Sequence, residues 1–172
     1  LKVNSKKYFY YSNFNSQNYI QNLLATITII SLFFDLKNIS KNIFLNFKIP
    51  SGRGDFSKLK FRNKIINFID ESYNSNPLSL KNALINFSKM KIKKDTKHVL
   101  LGDMLELGES SIKHHKSIAK IINRLDIHQV HVFGKDIKKT YDVLKKSKQG
   151  VIIKNLSRIN DLILKTLNTN DY

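Results

Sequence analysis

Beyond residue 64 the chain switches repeatedly between short apolar runs and segments of helical periodicity, and this alternation restricts the fold more than any other feature of its 172 residues. KIINFID (64–70), HVLLG (98–102), VHVFG (130–134) and GVII (150–153) have the length and branched apolar content of buried strands. Between them Leu80, Ala83, Leu84, Phe87 and Met90 make one helical stripe; Ile118, Ile121, Ile122 and Leu125 make a second, and Ile137, Tyr141 and Leu144 a third. Asn76 and Pro77 supply a cap and a first-turn proline, Ser110 or Ser111 a second cap, and a last helix is expected near Ser157. Four strands so spaced predict a three-layer α/β domain with a mostly parallel sheet.

The upstream part reads differently. KKYFYYSNFN (6–15) suggests a strand or hairpin of weak register. From residue 18 to 34 apolar residues cover almost every face, as in a helix buried inside a larger body, and Ile39, Ile43, Phe44 and Phe47 predict a second helix over 39–47. KIPSGRGD (48–55) then interrupts with Pro50, Gly52 and Gly54, which places a domain boundary between residues 49 and 50. After it, FSKLKF and KIINFID flank Arg62-Asn63-Lys64 as a hairpin.

A formal net charge of +17 invites a nucleic-acid reading, that of a stand-alone basic α/β module binding anions or nucleic acid. Lysine supplies nearly all of it, however. The arginines are only Arg53, Arg62, Arg124 and Arg158, whereas base readout and bidentate phosphate gripping lean on arginine. No nucleic acid is therefore expected as a partner, and the lysine runs KIKK (91–94) and LKKSK (144–148) read as solvated faces. With no cysteine there is no disulfide framework and no thiolate site. The most apolar run, residues 20–34, falls short of the roughly twenty residues a membrane span needs and carries several polar side chains, so no membrane association is expected.

In an open α/β sheet, ligands meet the loops that follow the carboxyl ends of the strands. Two acidic turns lie there, DESYNSN (70–76) and GDMLELG (102–108). Together with GRG at 52–54, the stretches DESYNSNPLSL (70–80) and LLGDMLELGE (100–109), with His115 seven residues after Gly108, resemble the C-terminal part of the Mur ligases, in the pattern of their D-alanyl-D-alanine-adding members. NYIQNLLA (18–25) is similar to a helix start of the same family; Asn22 matches its asparagine, while Asn18 stands where the family has histidine.

The resemblance implies a Rossmann-like C-terminal domain over 50–172, without its last strand and helix, preceded over 1–49 by the tail of a central ATP-binding domain. It implies ATP-dependent, ADP-forming amide ligation: a UDP-N-acetylmuramoyl-tripeptide carboxylate is phosphorylated to an acyl phosphate and attacked by the D-alanyl-D-alanine amine. ATP and Mg2+ are the implied cofactors, with the magnesium ligands in the central-domain part not present here, and a monomeric cytoplasmic enzyme is expected. By analogy Arg53 reaches the ATP phosphates, Asp70 the ribose and Asn22 the base or ribose. Asn74 and Asn76, at a helix amino end, are candidates for dipeptide or closing contacts, followed by Asp103, Glu106 and His115. Each also fits a structural role: Arg53 a hinge charge, Asp70 a turn acceptor, Asn76 and Asn22 helix-terminal partners, Asp103 and Glu106 loop caps, His115 an interhelical histidine. No phosphate-loop motif, magnesium-holding glutamate and lysine, or Lys-Gly-Ser segment occurs, so the expectation is a fragment inactive alone.

Overall fold

The computed structural model describes residues 2–3, 5–13, 17–48, 50–91 and 96–172, with the side chains of residues 17 and 18 also left aside. Within the KIKK run only Lys91 is described, and it is exposed; the rest of that expectation lies outside the described residues. The chain divides into two compact units, Leu1–Ile49 and Pro50–Tyr172.

In the first unit, strands β1 (Lys2–Val3) and β2 (Lys6–Lys7) make a minimal antiparallel pair, and helix α1 spans Gln17–Ile30. Among the described large apolar residues of this unit only Ile27 and Leu36 are buried, while Leu32 and Phe33 are each 75% exposed. So short a unit cannot cover an all-round apolar helix, because small bodies bury a smaller share of their surface. The helix expected over 39–47 is instead a run of turns after a 3-10 turn at Leu36–Asn38. Its amides reach back three residues, from Ile43 to Ser40, Leu45 to Asn42 and Phe47 to Phe44. The Ser40 hydroxyl also takes the Asn42 N–H, the local side-chain competition that draws serine and asparagine out of α-helices.

The second unit opens with a hairpin of β3 (Asp55–Phe61) and β4 (Lys64–Asp70), registered from Asp55↔Asp70 to Phe61↔Lys64. Its two-residue connection has Arg62 at φ 51°, the positive-φ geometry that tight hairpins require. Helix α2 (Pro77–Lys89) follows, then β5 (His98–Gly102), α3 (Ser111–Ile122), β6 (Gln129–Phe133), the single turn α4 (Lys138–Tyr141), β7 (Gln149–Ile153) and α5 (Ile159–Thr166). Strands β5, β6 and β7 form a parallel sheet in that order. Its core joins Leu101, Val130 and Val132 to Leu84 of α2, Ile118, Ala119 and Ile122 of α3, and Ile137 beside α4. The apolar stripes thus pack where their periodicity placed them, and the α/β class is the observed one.

The sheet differs from expectation in one respect. Strand β4 does not join the parallel ladder; residues 170–172 lie between it and β5. Asn67 donates to Asp171 O and Asn170 to Ile65 O on one side, and Tyr172 donates to Thr96 O while its own carbonyl accepts the His98 N–H at 2.6 Å on the other. Strand periodicity reveals a strand but not its neighbour, and here the neighbour comes from about a hundred residues away. Lys148 departs from the solvated-face reading as well, since its ammonium donates to the carbonyls of Leu125 and Ile127. Among the described residues no helix is long and apolar enough to cross a membrane.

Candidate functional site

The open end of the β3–β4 hairpin brings the GRG and DESY segments together. Asp55 and Asp70 face each other across the ladder, so the residues before one strand meet those after the other. Gly54 N–H donates to Asp70 O at 2.6 Å, and Tyr73 N–H to Gly52 O at 3.0 Å. Gly52 N–H is held by the Asp55 carboxylate at 2.8 Å, and Ser72 N–H by that of Asp70 at 2.9 Å. Gly52 sits at φ 77°, and a Cβ there would meet the Tyr73 backbone nitrogen at 2.8 Å, so both the backbone angle and the close approach demand glycine.

Between the two glycines, exposed Arg53 sets its guanidinium carbon 4.2 Å from the centroid of the Tyr73 ring. Among the described residues Lys97 pairs with Asp126, and the His98 ring lies 3.6 Å from the Asp171 carboxylate; neither contact involves Arg53. Its N–H groups thus have no acceptor among the described residues, although three carboxylates stand on the same turn. Glu71, whose carboxylate flanks Gly54, is pushed up from its ordinary value by burial first and then by Asp70 and Asp55. An arginine with unclaimed donors is suited to an anionic ligand, and two parallel hydrogen bonds to a phosphate are its strongest use.

Past this turn, Asn74 is exposed, and Asn76 is the N-cap of α2. The Asn76 side-chain oxygen Oδ1 accepts from Leu78 and Ser79 N–H at 3.0 and 2.9 Å, and the Ser79 hydroxyl accepts the Asn76 N–H, a reciprocal capping box.

The second acidic turn follows β5. Both Asp103 carboxylate oxygens are engaged, by Lys135 N–H at 3.0 Å and Ile137 N–H at 2.7 Å, which ties this loop to the one after β6. A Cβ at Gly134 would run into that carboxylate, so the glycine is needed for the approach. His115 is fully buried; its Nε2 accepts Met104 N–H at 3.1 Å, which leaves Nδ1 to donate to Ser111 O at 2.8 Å. Asp103 and His115 therefore position the 103–108 loop, with His115 closed off from solvent and Asp103 half-buried. Glu106 lies exposed on that loop at φ 59°. Asn22, in the first unit, is exposed on α1, and its carbonyl accepts the Thr26 hydroxyl.

A third polar group escaped the sequence reading. Val151 N–H donates to His131 Nδ1 at 3.0 Å, so His131 Nε2 carries a proton and donates to His98 Nδ1 at 3.1 Å; His98 Nε2 then donates to the Thr96 hydroxyl at 2.8 Å. Asp171 closes the chain, 2% exposed and 3.6 Å from His98. Burial, and then His98, push the His131 imidazole down to about 4. His98 is lowered chiefly by burial, against the pull of Asp171. Burial would raise Asp171, but the N–H groups of Asn168 and Thr96 outweigh it and hold the carboxyl low. The available signal was a histidine in each of two successive strands, which means nothing until the strands are known to be neighbours.

A parallel sheet whose C-terminal loops carry the DMLELG turn, preceded by a hairpin that clamps GRG against DESY, defines one class of protein. Residues 56–172 match the family model described as Mur ligase, glutamate ligase domain, and the chain belongs to that family. Among particular relatives, it is 25% identical over 146 residues to the "UDP-N-acetylmuramoyl-tripeptide--D-alanyl-D-alanine ligase" of Rickettsia prowazekii, an alignment covering 85% of this chain and 31% of that protein. A crystal structure of MurF from Acinetobacter baumannii superposes with a TM-score of 0.71 at 22% identity, covering 89% of this chain and 32% of the other. The MurF ligase of Thermotoga maritima in complex with ADP gives 0.68 at 18%, covering 94% and 34%. The chain thus spans about a third of the length of these relatives, and the structural likenesses show the fold.

Proposed function

We propose that this chain is the C-terminal portion of an ATP-dependent ligase that joins D-alanyl-D-alanine to a UDP-N-acetylmuramoyl-tripeptide, releasing ADP. The observation that carries the reading is the hairpin's open end, where GRG and DESY form one hydrogen-bonded unit and leave the Arg53 guanidinium unclaimed. The similarity to a relative named for this reaction, and to one solved with ADP, supports it.

Arg53 would bind ATP phosphate oxygens; a hydrogen bond to a charged group contributes about 1.5–3 kcal/mol. Asp70 holds the turn through one carboxylate oxygen and has the other for a ribose hydroxyl. ATP supplies the phosphoryl group that activates the acceptor carboxylate; the residues here orient and neutralise. Magnesium, the other cofactor of this reading, would be held by ligands in the central-domain part of the protein. Asn74 and Glu106 are the exposed candidates for the incoming dipeptide, Asn22 is the first unit's candidate for the nucleotide, and that unit would be the tail of the ATP-binding domain. A monomeric cytoplasmic enzyme acting in cell-wall synthesis, and through it in cell shape and division, follows from this reading.

The test is ADP release by the full-length protein that carries this segment. Turnover is expected only with the tripeptide nucleotide and D-alanyl-D-alanine together; equal turnover with a free amino acid as acceptor would assign a different ligase.

A further inference from the structure

We propose that Tyr73 is a positioning residue for Arg53. The inference rests on the functional reading above, because it concerns how the phosphate-binding arginine is held. Tyr73 is 65% exposed, so core packing does not account for its ring. What the ring does contact is the guanidinium, 4.2 Å from centroid to carbon, inside the range of cation–π attraction.

The backbone arrangement sets the two side chains within reach of each other. Tyr73 N–H is bonded to Gly52 O, and Gly54 N–H to Asp70 O, so the residues on both sides of Arg53 are fixed to the segment bearing the ring. Nearby carboxylates do not compete for the guanidinium. Asp55 and Asp70 each hold a backbone N–H group through one carboxylate oxygen, and neither forms an ion pair with Arg53. Attraction through the ring face uses the positive charge without consuming a single N–H. An ion pair with Glu71 or Asp70 would hold the side chain equally well but would occupy the donors needed by a phosphate. Tyr73 therefore limits the rotamers of a long, flexible side chain while leaving its hydrogen-bonding edge available, which lowers the ordering cost of binding.

The experiment is steady-state kinetics of the full-length enzyme. Tyr73→Leu is expected to lower kcat/KM for ATP about two- to fivefold, the range of an exposed cation–π contact, with KM for D-alanyl-D-alanine unchanged. Tyr73→Phe keeps the ring face and is expected to behave as the unsubstituted enzyme. In an Arg53→Ala background, Tyr73→Leu is expected to add no further loss. The proposal is overturned if Tyr73→Leu leaves kcat/KM for ATP unchanged, if Phe is as poor as Leu, or if the Leu effect persists at full size without Arg53. An unsubstituted enzyme that releases no ADP with both substrates present would sink the functional reading and this inference with it, a result distinct from the other three.

Discussion

Acidification should destabilise the second unit through His131, by an amount on the order of a few kcal/mol. The ring is 1% exposed, its Nδ1 is held by Val151 N–H, and its Nε2 proton is spent on His98, so neither nitrogen has room for a second proton without breaking the chain of bonds. The folded-state value falls from 6.5 to about 4. Between those values the unfolded chain binds a proton that the folded chain refuses. Stability is then fully present above pH 6.5 and falls by about 1.4 kcal/mol per pH unit on the way down, some 3 kcal/mol by the bottom of the window. His98 is shifted in the same direction and steepens the loss, whereas Glu71, raised in the folded state, opposes it weakly. Asp171 adds its own loss only below the ordinary aspartate value, because its carboxyl is held low. Urea unfolding of the chain at half-unit steps from pH 7 to pH 4, alongside His131→Gln, measures this. Glutamine can accept from Val151 and donate to His98 without titrating, so the variant's curve should be much flatter. Equal stabilities at pH 7 and pH 4.5, or the same slope in both proteins, would refute the argument.

Three further outcomes follow from the geometry. Asn76→Ala removes the α2 cap and should cost about 1 kcal/mol in chemical denaturation, while Asn76→Asp keeps most of it. Gly52→Ala places a Cβ 2.8 Å from the Tyr73 nitrogen at a positive φ; a loss of about 1–3 kcal/mol is expected in the same assay, with Arg53-dependent ATP affinity falling alongside it. His115→Leu leaves Met104 N–H buried without an acceptor, costing about 1–3 kcal/mol, and amide exchange should show early opening of the 103–108 loop.

The parts of the fold written in local pattern were legible. The strands at 98–102 and 130–134 and the stripes of α2 and α3 needed only periodicity, and the Asn76-Pro77 start of α2 needed only cap chemistry. Residues 39–47 misled because their apolar spacing is helical, while Ser40 and Asn42 favour tight turns over α-helical bonding. The site was legible as motifs. What Asp103 and His115 do there was not, because their partners, Lys135, Ile137 and Met104, are backbone groups that no sequence pattern marks. Tyr73 was visible inside its motif, but its role depends on a hairpin bringing residue 53 beside it.

The segment lodged between β4 and β5 also sets an order of events during synthesis. Hairpin β3–β4 closes over two residues, and each crossover of the parallel sheet spans a few tens. The bonds joining the two sheets through this segment span 103 residues from Asn67 to Asn170 on the β4 side and 75 from Thr96 to Asp171 on the β5 side. On a ribosome adding about 5–20 residues per second, the facing edges of β4 and β5 stay unpaired for several seconds after both have emerged. Exposed edges of that kind recruit other strands, so this unit's aggregation risk during translation is concentrated in the interval before residues 168–172 arrive.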